Sequence, residues 1–239
     1  MTASLRGVFP SSDLLRALVA PILVFIATAI DRNYQTDFWH HLARGQAMTE
    51  RGELVDHDLF TYTVPDRPFQ DVNWLTQLLY YRLFLLGGLD LVQFVNSLTL
   101  AVMMGLLVAL CRRQSGSWLI AAAVGLFAFV GLWQLLIIRP QTFSLLLFML
   151  VYLLLEQAGR RRWLLVIPPV LLALWANLHG AFPIGLVLIG CYGLSAFLES
   201  WWTSGKGVLS DRMVWFLGLC LLASCLATLA NPYEWRVYQ

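Results

Sequence analysis

"NWLTQLLYYRLFLLGG", Asn73 to Gly88, decides how this chain is threaded. The run is apolar, but it is short for a crossing, which takes roughly 20 residues. It also carries Arg82 midway and ends on a glycine pair. If it crosses a bilayer, every later loop falls on one side. If it lies along the interface, or dips in and returns, every later loop changes sides.

Composition brings the bilayer into play. Of 239 residues, 59% are hydrophobic and 13% charged, and mean hydropathy is +0.69. A soluble domain of this length has no core large enough to hide so much apolar surface, whereas a polytopic membrane protein turns it toward lipid. A net charge of +2, with no basic stretch interleaved with stacking aromatics, points to no nucleic-acid partner. Cys111, Cys191, Cys220 and Cys225 lie in or beside apolar runs without CxxC spacing and read as small packed hydrophobes. A Gly-rich phosphate loop, a nucleophile elbow and an HExxH motif are all absent, as is any internal repeat.

Seven other apolar runs are read as crossings: 14–30, 91–111, 117–138, 140–157, 163–178, 181–200 and 213–230. Short cytoplasmic loops hold the excess of Lys and Arg. With 73–88 kept at the interface, Arg6, Arg16, Arg112, Arg113, Arg160 to Arg162, Lys206 and Arg212 all fall on the cytoplasmic side. With 73–88 crossing, three successive loops break the rule. The expectation is a single membrane domain over 1–239: an all-α transmembrane bundle of about seven spans. Its N-terminus is cytoplasmic, and residues 73–88 form an interfacial or re-entrant helix. "ATA" at 27–29 has the look of a small-residue cleavage site, but the first run is span-length and is read as retained.

This threading gathers the polar segments on the outer face. They are "TDFWHHLARG" (36–45), "HDLFTYT" (57–63), "QDVNW" (70–74), "RPQ" (139–141), "NLHG" (177–180) and "NPYEWR" (231–236). Polar groups at a membrane edge are costly and mark sites or pathways. The first outer loop, 31–72, is long, and long loops are commonly functional. Within it "DFWHHLARGQAMTERG" reads as an interfacial amphipathic helix ending at Gly52. Phe38, Trp39 and Leu42 are expected to face lipid, with Asp37, His41 and Arg44 opposite. "VPDRP" at 64–68 then makes a turn.

Asp37, His40 and His41 can share one side of that helix, and three chemistries are open to them. Asp37 can act as a general base at a desolvated edge. Asp37 and His41 can ligate a divalent cation, with Asp71 or His179 completing the shell. Or the group is structural, with each His and Asp satisfying the other. Arg139, between two runs, can snorkel to the headgroups or hold a phosphate by paired hydrogen bonds.

Taken in order, these residues resemble a family. "DFWHHLARGQAMTERGELVDHDLFTYTVPDRPFQDVNWLTQ", with Asp37–Gly45 and Asp58–Thr63 inside it, is followed by Arg139–Ser144 ("RPQTFS"), Trp175–Phe182 ("WANLHGAF") and Asn231–Glu234 ("NPYE"). The series is similar to bacterial GT-C type integral-membrane glycosyltransferases. More narrowly it resembles their RgtA/B/C/D-like group, related to the protein O-mannosyltransferases and the lipid A aminoarabinose transferase. The resemblance implies an enzyme of the bacterial cytoplasmic membrane that passes a sugar from a polyprenyl-phosphate carrier to an acceptor on the outer face. Asp37 inherits the catalytic role by motif position. His40, His41, Asp58, Asp71, Arg139, Gln141, Asn177, His179 and Asn231 are the expected substrate contacts. Two positions depart from the pattern: Asn73 stands where an acid is usual, and Glu234 where glycine is usual. Family members run longer, so the resemblance implies that this chain corresponds to their N-terminal part. A non-catalytic module of the same fold, binding the lipid carrier or a partner subunit, would need the same face. A transporter would need broken helices and mid-membrane polar groups, and the runs show few.

Overall fold

Two glycines divide the longest helix of the chain. The computed structural model describes residues 12–31, 36–59, 68–204 and 211–238. It contains α1 (Ser12–Ile30), α2 (Thr36–Arg51), α3 (Trp74–Ser115), α4 (Trp118–Gly131), α5 (Gln141–Ala158), α6 (Ile167–Leu178), α7 (Pro183–Ser204) and α8 (Arg212–Thr228). Single 3₁₀ turns lie at Trp133–Leu135, Arg162–Val166 and Glu234–Tyr238. Among the described residues there is no strand, only an isolated bridge between His57 and Pro68. α3 leaves helical geometry at Gly87 (φ −156°, ψ 20°) and Gly88 (φ 65°, ψ −161°). The second of these conformations is essentially open to glycine alone. The stretch that decides the threading is therefore a separate first arm, 74–86, and a second arm, 89–115, follows the break.

The chain then runs back and forth between two poles. At one, the Gln93 amide donates to the carbonyls of Thr28 (2.8 Å) and Asp31 (2.6 Å), tying the end of α1 to the start of the second arm. Nearby, the Thr142 hydroxyl donates to Asn96 (2.8 Å), which joins the start of α5 to the same arm. At the other pole Gln114 donates to Glu156 (2.8 Å), and Tyr192 donates to the same carboxylate. There the Arg112 guanidinium lies 5.3 Å from the Trp118 ring, and that of Arg162 lies 5.8 Å from the Phe216 ring. The first pole is thus rich in amides, and the second carries arginines. Arg6 and Lys206, assigned to the arginine side, lie outside the described residues.

Among the described residues, four helices are long and apolar enough to cross a membrane: α1, α3, α5 and Pro183–Trp202 of α7. Trp118–Gly131, Arg162–Leu178 and Arg212–Thr228 are shorter apolar segments. The run read as 117–138 is helical only to Gly131. A 3₁₀ turn and irregular backbone lead from there to Pro140, whose ring locks φ and removes a donor.

Packing between these helices is close. Ala20, Val24, Leu100, Met104 and Val108 are buried where α1, α3, α4 and α5 meet. A Cβ on Gly125 would come within 2.7 Å of Val108 and 3.0 Å of Ala20, so glycine is what lets α4 seat there. With no water to expel between lipid-facing helices, such backbone approach is a main source of association. A second core joins α5 to α8 around Trp175, Leu172 and Phe182.

α2 ends as its sequence suggests, with Gly52 at φ 72° donating its N–H to Met48 O (3.0 Å). Its apolar face does not meet lipid, however. Phe38 and Leu42 are buried against Tyr80, Val92 and Ile138, and Trp39 alone of the three stays exposed. The first arm of α3 supplies the apolar partner that the reading of α2 in isolation lacked. A Cβ on Gly45 would fall 2.2 Å from Gln77 O, so the two helices cross in backbone contact there. Residues 60–67, which hold most of the turn expected at 64–68 and most of 57–63, lie outside the described residues.

Candidate functional site

Five polar segments meet at the amide-rich pole, and a buried ion pair joins two of them. Arg44 and Asp71 are each only 2% exposed in their side chains, with guanidinium and carboxylate 3.4 Å apart. The other Asp71 oxygen accepts from the Gln77 amide (2.8 Å) and from the Asn73 N–H (3.2 Å). The Asp71 N–H donates to the Tyr233 hydroxyl (3.0 Å), 162 residues away. Arg44 also stacks 4.0 Å from the Phe69 ring centroid. Burial raises the Asp71 pKa, while Arg44 and the two N–H donors pull it back.

The histidines take their protonation from these partners. Arg44 Nε donates to His40 Nε2 (2.6 Å). A guanidinium only donates, so His40 accepts there and carries its proton on Nδ1. The Gln77 amide shares its two hydrogens between Asp71 and His41 Nδ1 (3.2 Å). The acceptor-only carboxylate sets that orientation of the amide and leaves the His41 proton on Nε2. Burial and the neighbouring His40 push the His41 pKa down to about 4. Burial and Arg44 lower that of His40, and burial lowers that of His179. Ser144 accepts from the Trp175 indole (2.7 Å) and meets His179 Nδ1 at 2.7 Å. His179 also lies within electrostatic reach of His41.

Asn177 and Asn231 stitch the helix ends. Asn177 accepts from the Trp74 indole (3.1 Å) and donates to the carbonyls of Ala173 (2.7 Å) and Ala230 (3.0 Å). Asn231 donates to Ala176 O (2.7 Å) and accepts from the Tyr233 N–H (2.9 Å). Thr76 caps the end of α6 by donating to Leu178 O (2.7 Å). These two asparagines are therefore architectural in position.

Asp37 differs from the rest. In the first turn of α2, its carboxylate is 57% exposed and pairs with Arg139 at 2.7 Å, itself 31% exposed. Gln141 opens α5 two residues after Arg139, and Asp58 lies within electrostatic reach of His40. The site thus has a buried network beneath a water-accessible acid.

The cation site considered for Asp37 and His41, with Asp71 or His179, is not assembled. Among the described residues no group of three or more His, Cys, Asp or Glu is placed to hold a metal ion. Arginines neutralise both carboxylates, and the acceptor nitrogens of His40 and His41 already face Arg44 and Gln77. Arg44, Gln77, Ser144 and Tyr233 were not among the expected site residues. Arg44 follows His40 by four in the quoted cluster, a helical spacing that would have found it.

Comparison with protein-family models, with curated proteins and with solved structures finds no match.

Proposed function

We propose that this protein is an outer-face glycosyltransferase that uses a polyprenyl-phosphate sugar, with Asp37 as its base. The observation that carries the reading is the Asp37–Arg139 pair, an accessible acid and a phosphate-competent cation held 2.7 Å apart over a buried scaffold. Seven traverses of the bacterial cytoplasmic membrane, with the first arm of α3 at the interface, put this pole outside. The arginine count of the loops supports that sidedness. Glu234, where the resembling family carries glycine, has φ 50°, a conformation that glycine adopts freely, which supports the likeness at that position.

In the reaction the acceptor hydroxyl oxygen attacks the anomeric carbon as the bond from that carbon to the phosphate oxygen breaks. The hydroxyl proton goes to the Asp37 carboxylate, and the carrier leaves as polyprenyl phosphate. Arg139 meets the departing phosphate charge, which suits its paired N–H donors. Both roles are compatible because a solvent-accessible ion pair is worth only about 0–1 kcal/mol, so the donor's phosphodiester anion, which gains charge as its bond to the sugar breaks, can draw Arg139 away and free Asp37. Non-catalytic carrier binding is the second reading, favoured by the same pair, since in it the acid is occupied.

Proteoliposomes loaded with polyprenyl-monophosphate hexoses and envelope lipid extract separate the two. Transfer should fall by about 10²–10⁴-fold in Asp37→Asn, while the carrier stays bound. Undiminished transfer in that variant removes Asp37 as the base, and binding without transfer in the unaltered protein establishes the second reading.

A further inference from the structure

The arginine pole carries a groove that the proposed reaction does not use. It lies between the 3₁₀ turn Arg162–Val166 with the start of α6 on one side and α8 on the other, with a volume of about 610 Å³. Its walls are apolar apart from Arg162 and include Trp163, Val166, Pro169, Leu219 and Ala223. Arg160 and Arg161 adjoin Arg162 in sequence and are exposed, as is Arg212 at the start of α8. The nearby acid, Asp211, is engaged as the cap of α8, accepting from the Met213 N–H at 2.7 Å. The mouth is therefore cationic and the trough hydrocarbon-like. Around it Val170, Trp215, Leu222 and Leu226 are exposed, which is the surface a helix presents to acyl chains. Trp163 and Trp215 have the character of headgroup-level anchors.

We propose that this groove holds one anionic phospholipid of the cytoplasmic leaflet, its acyl chain along Val166, Pro169, Leu219 and Ala223 and its phosphate on Arg162. Basic pockets between membrane helices on that side suit such headgroups, and about 610 Å³ falls within the size range of ligand sites. The inference rests on the proposed sidedness, with the arginine pole cytoplasmic, and is independent of sugar transfer.

Native mass spectrometry of the full chain, released from micelles holding equal phosphatidylglycerol and phosphatidylcholine of identical acyl chains, tests it. One phosphatidylglycerol should be retained in preference. Arg162→Gln should cut that preference about fivefold, the effect of one arginine near the headgroups. Ala223→Trp, at an exposed position, fills the trough and should abolish retention of both lipids while the protein stays monodisperse. Equal retention of the two lipids by the unaltered protein overturns the proposal, as does a preference that survives both substitutions. Displacement of phosphatidylglycerol by equimolar polyprenyl monophosphate overturns the choice of a phospholipid.

Discussion

Arg44 is a fully buried cation whose charge is matched by Asp71, and that makes it costly to lose. Arg44→Met should destabilise the protein by about 3–5 kcal/mol, because the buried carboxylate then has no counter-charge. The double variant with Asp71→Asn should lose less than the two single losses combined, by a coupling of about 1–3 kcal/mol. Apparent Tm in detergent measures this, and strict additivity would deny the pair its role. His41 belongs to the same network and gives it a pH dependence. Its folded pKa of about 4 lies below the unfolded value near 6.5. Between those values the unfolded chain binds the extra proton. Stability is therefore full above about pH 6.5 and falls as pH drops toward 4, by on the order of 3 kcal/mol. His41→Gln should flatten that part of the stability–pH curve. At this scale the sequence showed which residues cluster but not which ones pair. Asp37 found Arg139, 102 positions away by numbering, and Asp71 found Arg44, where spacing alone had set Asp37 beside His40 and His41.

At the scale of elements, the break at Gly87 and Gly88 could be read from the chain, because a glycine pair closing a short apolar run is a stop. What could not be read was the surface this arm would offer. It turns Thr76, Gln77 and Tyr80 inward and leaves Leu85 and Leu86 exposed, so its polar face builds the site while α2 covers it. The inward fate of Phe38 and Leu42 follows from that partner and from nothing local. The break itself is testable against a control. Gly88 and Gly116 both have positive φ, and an added Cβ would meet no atom at the first and only Arg112 at 3.9 Å at the second. Backbone strain alone then separates them. Gly116 (φ 68°, ψ 2°) is in the left-handed helical region, where alanine costs about 1–2 kcal/mol. Gly88 has ψ −161°, which side chains avoid at about 1–3 kcal/mol. Gly88→Ala should lower apparent Tm more than Gly116→Ala. An equal drop would mean that the special geometry at Gly88 carries no weight.

For the whole molecule the decisive property is sidedness, because every chemical role assigned to the polar pole requires its segments to share one face. The residues on either side of the first arm of α3 make the test. Trp39 precedes that arm and is exposed, and Glu234 follows every traverse and is exposed. If the arm lies at the interface, six crossings separate the two residues and they emerge together. If it crosses, seven separate them and they emerge apart. Gln114 and Arg161, both exposed at the arginine pole, report the opposite side. With Cys111, Cys191, Cys220 and Cys225 replaced by serine or alanine, Trp39→Cys and Glu234→Cys in intact bacterial spheroplasts should both react with a membrane-impermeant thiol reagent. Gln114→Cys and Arg161→Cys should react only after permeabilisation. Labelling of Trp39→Cys and Glu234→Cys from opposite sides would mean that 73–88 spans. The contacts joining Asp71 to Tyr233 and Trp74 to Asn177 could not then exist in the membrane, and an acid on one side would have no phosphate site to serve on the other.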